Sequence, residues 1–428
     1  MKTTNRPSDC KVAIIGAGLA GLSAAYHLRE ALGQSIRITI LEKEKRIGGR
    51  VFTSHDPPGE HGAEFLLRSE KRFTRIVKNE LRLKLNTVGW PWYQWDRKYA
   101  WGHPSKAVRK LLPTESAQLV IDLFNRSEPA INGSFRHWLS SVLRGDREAI
   151  RFVEMLLISE TCAPLDHVSA RHGYGCLWSL LKDEWYRIHG GSDVLVKTLR
   201  TLSKAHLELG ACVKKVITVR GGARIHRKQN GQQKSDVFQA VIIATPDGER
   251  LRGKQPPSCY HSYVSVLLAY RGRPQVKDHQ DVDLTKGLYT DGSLNYIQLT
   301  KGAGPPYGLR ILIPNAEKMF RWEESDVVAF CVKHLKPIIA DADNFYASSV
   351  KPWEFGLPCG GNSRPFEKIG NRVYLAGDRF GKWPSMDAAI TSGHRTAAAV
   401  DEFLTRQAAA ASTVLSIHSR YFLSEGNA

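Results

Sequence analysis

The sequence contains no apolar run of about 18 residues, the length a membrane-crossing helix needs, so none is expected. Its seven cysteines (Cys10, Cys162, Cys176, Cys212, Cys259, Cys331, Cys359) are scattered and odd in number. That excludes the dense disulfide framework of a small secreted domain and makes a reducing cytoplasm the expected compartment. Acidic residues are in deficit: 42 Asp and Glu stand against 61 Lys and Arg, a formal charge of +19. A surface of that sign attracts acidic small molecules, anionic lipid or nucleic acid. No basic block interleaved with aromatics and no zinc-finger spacing accompanies it, so no specific nucleic-acid partner is expected, while peripheral membrane contact stays open. Internal repeats and low-complexity tracts are also missing.

What is present is a chain of 428 residues, 42% hydrophobic, long enough for two domains with full cores. Near its start, "KVAIIGAGLAGLSAAYHL" runs four apolar residues, Val12 to Ile15, into Gly16, Gly18 and Gly21, then into a helical pattern. The spacing predicts strand, tight turn and helix, with a second strand over Ile36–Leu41 ending at Glu42. In such a unit the first glycine permits the bend, the second lets a pyrophosphate approach the backbone, and the third packs helix on strand. The helix N-terminus offers unpaired N–H groups to the phosphates, and Glu42 is placed to accept from a ribose 2′-hydroxyl. The unit by itself leaves NAD and FAD open.

Further along, a helical pattern covers Ser69 to Leu85, and a mostly helical, aromatic-rich stretch continues to about Tyr186. A fresh helix follows His189, then short strands at "ACVKKVITV" and "FQAVIIATP", a second excursion with a helix near Glu324 to Leu335, a strand over Val373–Ala376 and a long final helix. The boundaries read as 1–75, 189–250 and 364–410 for three segments of a nucleotide domain, 76–188 and 251–363 for the helical and sheet parts of a substrate domain, and 411–428 for a loose tail.

"RIGGRVFT" places Gly48, Gly49 and Arg50 shortly after Glu42: two glycines for close passage and a guanidinium suited to pyrophosphate. With "GAEF" at Gly62–Phe65, "HGGSDVL" at His189, "VIIATP" at Val241 and "RVYLAGD…SMDAAITSG", the chain resembles the flavin-containing amine oxidase superfamily along nearly its whole length. That group includes monoamine, polyamine and L-amino-acid oxidases, with protoporphyrinogen oxidase and carotenoid-type desaturases as relatives. The resemblance implies an α/β fold: a Rossmann-like FAD-binding domain built from discontinuous segments plus a mixed α+β substrate domain. It implies FAD as cofactor, with Val213 holding the adenine through its backbone, Gly377 and Asp378 meeting the ribityl chain, and the helix starting near Met386 aimed at the flavin pyrimidine ring. A helix N-terminus stabilises the negative charge a reduced flavin carries there.

Two departures touch the reacting face. Aligned on Tyr270, Ser265 stands where the family usually has a lysine linked through water to flavin N5, and Ser385 precedes Met386 where an aromatic is common, with Trp383 as the nearest substitute. The arginine that amino-acid oxidases often carry at the position of Phe65 is absent. Glu64, by resemblance, faces the flavin, where a carboxylate would favour a cation or accept a proton; the alternative is a loop carboxylate paired with Arg68. Cys162, His167, His172 and Cys176 match no common zinc spacing, so no metal is expected. Cys359 sits in a setting unlike that of the cysteine which links flavin covalently in monoamine oxidases, so FAD is expected to be non-covalent. The aromatics from Trp90 to Trp101 read as core or as the wall of an apolar tunnel.

These features imply an FAD-dependent oxidoreductase that removes hydride from a carbon of a small molecule, with dioxygen as electron acceptor and hydrogen peroxide as product. The expected target is a C–N bond of an amine, amino acid or amide-like metabolite. The alternatives are a desaturase or porphyrinogen-type oxidase acting on C–C bonds and, from another class, a non-catalytic FAD-containing basic binding module.

Overall fold

Val12–Ile15 and the β-branched run Ile36–Leu41 are apolar enough to be buried on both faces, and they pair as parallel neighbours with Ile14 opposite Ile40. In this computed structural model, which describes residues 10–128, 133–253, 260–300, 305–359 and 364–424 (the backbone alone from 411), they form the centre of a six-stranded sheet. Its order is His206–Glu208, Ile36–Leu41, Cys10–Ile15, Ala240–Ile243, Val373–Leu375 and Glu367–Ile369, and only the last strand is antiparallel. Helices Leu19–Leu32, Asp193–Ser203 and the start of Met386–Ser424 share one core with a face of this sheet. A three-stranded antiparallel sheet spanning Cys212–Phe238 packs on the other face. The first and last helices are pinned together by Ser23, whose hydroxyl donates to the Ile390 carbonyl at 2.8 Å.

A seven-stranded sheet forms the second body of structure, in the order Phe345–Pro358, Tyr260–Tyr270, Tyr307–Pro314, Tyr296–Leu299, Leu288–Thr290, Trp92–Trp95 and Lys98–Trp101. Tyr260–Tyr270 is buried almost throughout, as its unbroken apolar run requires of an interior strand. Helix Glu324–Leu335, at the expected position, covers one face. Helices between Pro104 and Lys182 cover the other, and three of them are capped as their sequences dictate: Ser134, Asp146 and Ser169 accept from the backbone N–H groups of His137, Ala149 and His172.

Two expectations are corrected. The stretch from Ser69 to Tyr186 is not mostly helical at its start: the Lys71–Arg75 helix ends in a wide turn at Ile76–Glu80, and Trp92–Trp101 is a hairpin. Alternation decided this, because Tyr93 and Trp95 face the core while Trp92 and Gln94 lie on the other side. The residues read as a loose tail continue the final helix to Ser424, favoured by the alanine run Ala408–Ala411. Among the described residues no helix is long and apolar enough to cross a membrane.

Candidate functional site

The strand Cys10–Ile15 delivers the chain to the turn Gly16–Gly18, and the helix begins at Leu19. Gly21 lies directly against that turn: a Cβ there would come within 2.0 Å of the Gly16 carbonyl oxygen. Glu42, buried at the end of the second strand, folds its carboxylate over the turn, accepting from the N–H of Ala17 at 2.7 Å and of Glu44 at 2.9 Å. Gly18 and Gly48 form an isolated parallel bridge, bringing the second glycine-rich loop beside the first.

These groups open onto a cavity of about 760 Å³, within the usual range for cofactor and ligand pockets. Gly16, Gly18, Glu42, Gly49, Arg50, Val213, Gly377, Asp378 and Met386 all line it, although they come from three separate stretches of the chain. Val213 sits at a bulge, where the ladder register shifts between Val213 and Lys215. Arg50 does not stand free: its guanidinium donates twice to the Asp378 carboxylate, at 2.7 Å each, and once to the Gly356 carbonyl at 2.9 Å. Arg46, on the same loop, donates to the Gly49 carbonyl at 2.7 Å and lies over the Phe52 ring.

At the far end of the cavity stands a second polar group. Glu64 is held between two arginines, Arg187 Nε at 2.5 Å from one carboxylate oxygen and Arg310 Nη1 at 2.5 Å from the other. This corrects the alternative pairing with Arg68, which bridges to Glu184 instead. It also removes Glu64 as a free anion for a cationic substrate, since two guanidinium charges face its one. Arg310 is 5% exposed and also donates to the Gly62 carbonyl. Glu160, at the end of helix Arg147–Thr161, lines the cavity and accepts from the Tyr289 hydroxyl at 2.8 Å. Burial pushes its carboxyl above the ordinary range.

Two residues singled out in the sequence stand elsewhere. Ser265 is fully buried outside the cavity lining, its hydroxyl 3.2 Å from His61 Nδ1, with His61 Nε2 3.1 Å from the Ser349 hydroxyl. His61 is a satisfied core histidine kept neutral by burial, its pKa pushed down to about 3. Trp383 is also absent from the lining and packs over Gly175 of helix Ala170–Lys182. A lysine does reach the cavity: Lys351 lies directly across the ladder from Ser265, and burial lowers its pKa. None of Trp90 to Trp101 lines the cavity, so the tunnel-wall reading gives way to core for Tyr93 and Trp95 and surface for Trp90 and Trp101. Cys359 is disulfide-bonded. Cys162 and His172 are buried, and among the described residues no group of three or more His, Cys, Asp or Glu is placed to hold a metal.

Arg187, Arg310, Glu160 and Lys351 escaped the sequence reading. Arg187 and Lys351 each lie opposite a singled-out position or its neighbour in a ladder (Phe65 with Arg187, Ser265 with Lys351), but such long-range pairings leave no periodic mark in one sequence. Glu160 had a local signal, a carboxylate amid the apolar run of its helix.

Over 285 residues the chain is 26% identical to mouse L-amino-acid oxidase, covering 59% of this chain and 44% of that one, so it spans less than half of this curated relative. Putrescine oxidase bound to putrescine shares the fold with a TM-score of 0.71 at 18% identity, covering 92% of this chain and 99% of that one. A candidate protoporphyrinogen oxidase from Exiguobacterium superposes with a TM-score of 0.69 at 16% identity, over 92% and 98% of the two chains. The family model for flavin containing amine oxidoreductase matches residues 19–401, nearly the whole of the described fold, and the chain belongs to that family.

Proposed function

We propose that this protein is an FAD-dependent oxidoreductase that oxidises a C–N bond of an amine, amino acid or amide-like metabolite, holding its FAD non-covalently and using dioxygen as acceptor. The observation that carries the reading is the continuity of one cavity, from the glycine turn beneath Glu42 to the charged group at Glu64, Arg310 and Glu160. The residues fit the cofactor. Gly18 and Gly49 approach so closely that a Cβ on Gly49 would stand 3.2 Å from the Gly18 Cα, which leaves bare backbone where a pyrophosphate has to lie. Glu42 orders the turn, and Val213 lines the cavity at its bulge. The disulfide at Cys359 takes that sulfur out of any covalent link.

A bound flavin would supply a hydride acceptor, and dioxygen taking up the two electrons with two protons would leave as hydrogen peroxide. The protein's part is to position and to dry. Phe65, Tyr263, Tyr296 and Leu312 wall the cavity beside the charged group and exclude water from a substrate whose nitrogen lone pair assists hydride loss. That division of labour asks for no strong base, which is why Ser265 in place of a lysine is compatible with it. The charged end of the cavity argues against a polyene substrate.

The deciding test is anaerobic bleaching of the flavin absorbance on mixing with a pool of amines and amino acids, beside a second pool of polyenes and porphyrinogens. Bleaching by the first pool is expected; bleaching by the second alone moves the activity to C–C bonds. Salt-sensitive DNA binding without bleaching by either would favour a non-catalytic module.

A further inference from the structure

The charged end of the cavity contains more hydrogen-bond donors than the protein uses. Glu64 brings one negative charge to two guanidinium groups, so while burial keeps the neighbouring Glu60 protonated one positive charge is in excess. Arg310 Nε is buried without a hydrogen-bond partner, as is the hydroxyl of Ser159; both residues line the cavity, the latter next to Glu160. Leaving a buried donor unpaired is costly, and each such group calls for a partner that the described protein atoms do not supply. An apolar guest would satisfy none of them, and a cationic one could donate only to the Ser159 oxygen.

We propose that this end of the cavity is a subsite for an anionic group of the substrate, received by Arg310 with the Glu160 carboxyl beside it. The inference rests on the reading of the cavity as a substrate site. Glu160 suits that place because one of its oxygens already accepts from Tyr289, and among the described hydrogen bonds the other has no partner. Burial favours the neutral, proton-bearing carboxyl, and the thiols of Cys162 and Cys176 and the hydroxyls of Tyr289 and Tyr296 around it are themselves held neutral by burial, while Arg310 and the hydrogen bond from Tyr289 pull toward the ionised form. A carboxylic acid donating to an anion makes a charge-assisted hydrogen bond; once ionised, the same group repels that anion. The subsite therefore selects against cationic ends and weakens for anions as pH rises. Glu60, whose carboxyl is pushed up to about 7 by burial, also acts on Arg310, so the contribution of Glu160 has to be separated by substitution.

The test uses the flavin-loaded protein with benzoate, benzyl alcohol and benzylamine as probes, binding being read from the perturbation of the oxidised flavin spectrum between about pH 6 and 9, where benzoate stays ionised. Benzoate is expected to bind roughly tenfold more tightly than either other probe at the low end and to weaken as pH rises. Glu160→Gln should flatten that dependence, and Arg310→Gln should remove the benzoate preference while sparing benzyl alcohol. Tyr289→Phe removes a donor that favours the ionised carboxyl and should move the midpoint to higher pH; this second variant decides the matter if Glu160→Gln does not fold. Equal binding of benzoate and benzyl alcohol, tighter binding of benzylamine, or an unchanged pH dependence in Glu160→Gln and Tyr289→Phe overturns the inference. Bleaching by amines and amino acids without a benzoate preference removes the subsite alone; a benzoate preference in a protein that no donor bleaches removes the oxidase reading alone.

Discussion

Arg50 and Asp378, 328 positions apart in the chain, meet across the cavity in a two-pronged ion pair with both contacts at 2.7 Å. The pair ties the second glycine loop to the residues just before the final helix, and removing one partner strands a largely buried charge. Asp378→Asn is expected to destabilise the protein by about 3 kcal/mol. A calorimetric melting temperature equal to that of the unsubstituted protein would show that the pair contributes nothing.

Gly18→Trp should leave the fold and empty the cofactor site. The indole would project where Gly18 and Gly49 now face each other across bare backbone. The ratio of flavin to protein absorbance after purification is expected to fall roughly tenfold or more, since a blocked pyrophosphate contact costs more than about 1.4 kcal/mol. A fully yellow variant would refute the placement.

Glu64→Gln removes the charge that separates Arg187 from Arg310. Two buried guanidinium groups then confront each other, and a loss of about 3–5 kcal/mol is expected in urea unfolding. Adding Arg187→Met should recover part of it. Recovery distinguishes a role in charge balance from a role in binding cations, which the second substitution would not restore.

Glu70 gives a pH dependence of stability with a definite sign. Burial pushes its carboxyl up to about 8, with Asp387 and Asp183 acting in the same direction, while Leu67 N–H donates to it at 3.0 Å. An acid whose pKa is raised by folding stabilises the fold fully below its unfolded pKa, and that contribution is lost as pH climbs toward 8. Glu70→Gln keeps the acceptor and removes the titration. At pH 9 it should melt higher than the unsubstituted protein by roughly 2 °C, on the order of 1 kcal/mol, with no gain at pH 5. The same difference at both pH values would contradict this account.

Local pattern carried far in this sequence. The strand Ile36–Leu41 and the helix Glu324–Leu335 lie where alternation and helical spacing put them, because burial on a sheet or helix face is written in the nearest neighbours. The hairpin Trp92–Trp101 was harder: its turn places Asp96 and Arg97 at φ of 44° and 63° without the glycine that usually announces such a turn. At the site, the residues of the glycine turns were legible because backbone geometry demands their type. The clamp of Arg187 and Arg310 on Glu64 was not, since any of many arginines would serve and only the completed sheets decide which two arrive.

The pin between Ser23 and the Ile390 carbonyl joins two helices made far apart in time during synthesis. The glycine turn is made well before Asp378 and Met386, which give its cavity another wall. A nascent chain carries the glycine-turn half of the cavity while its counterpart is still unmade. The cavity is thereby complete only once the final helix has been made and docked against the first.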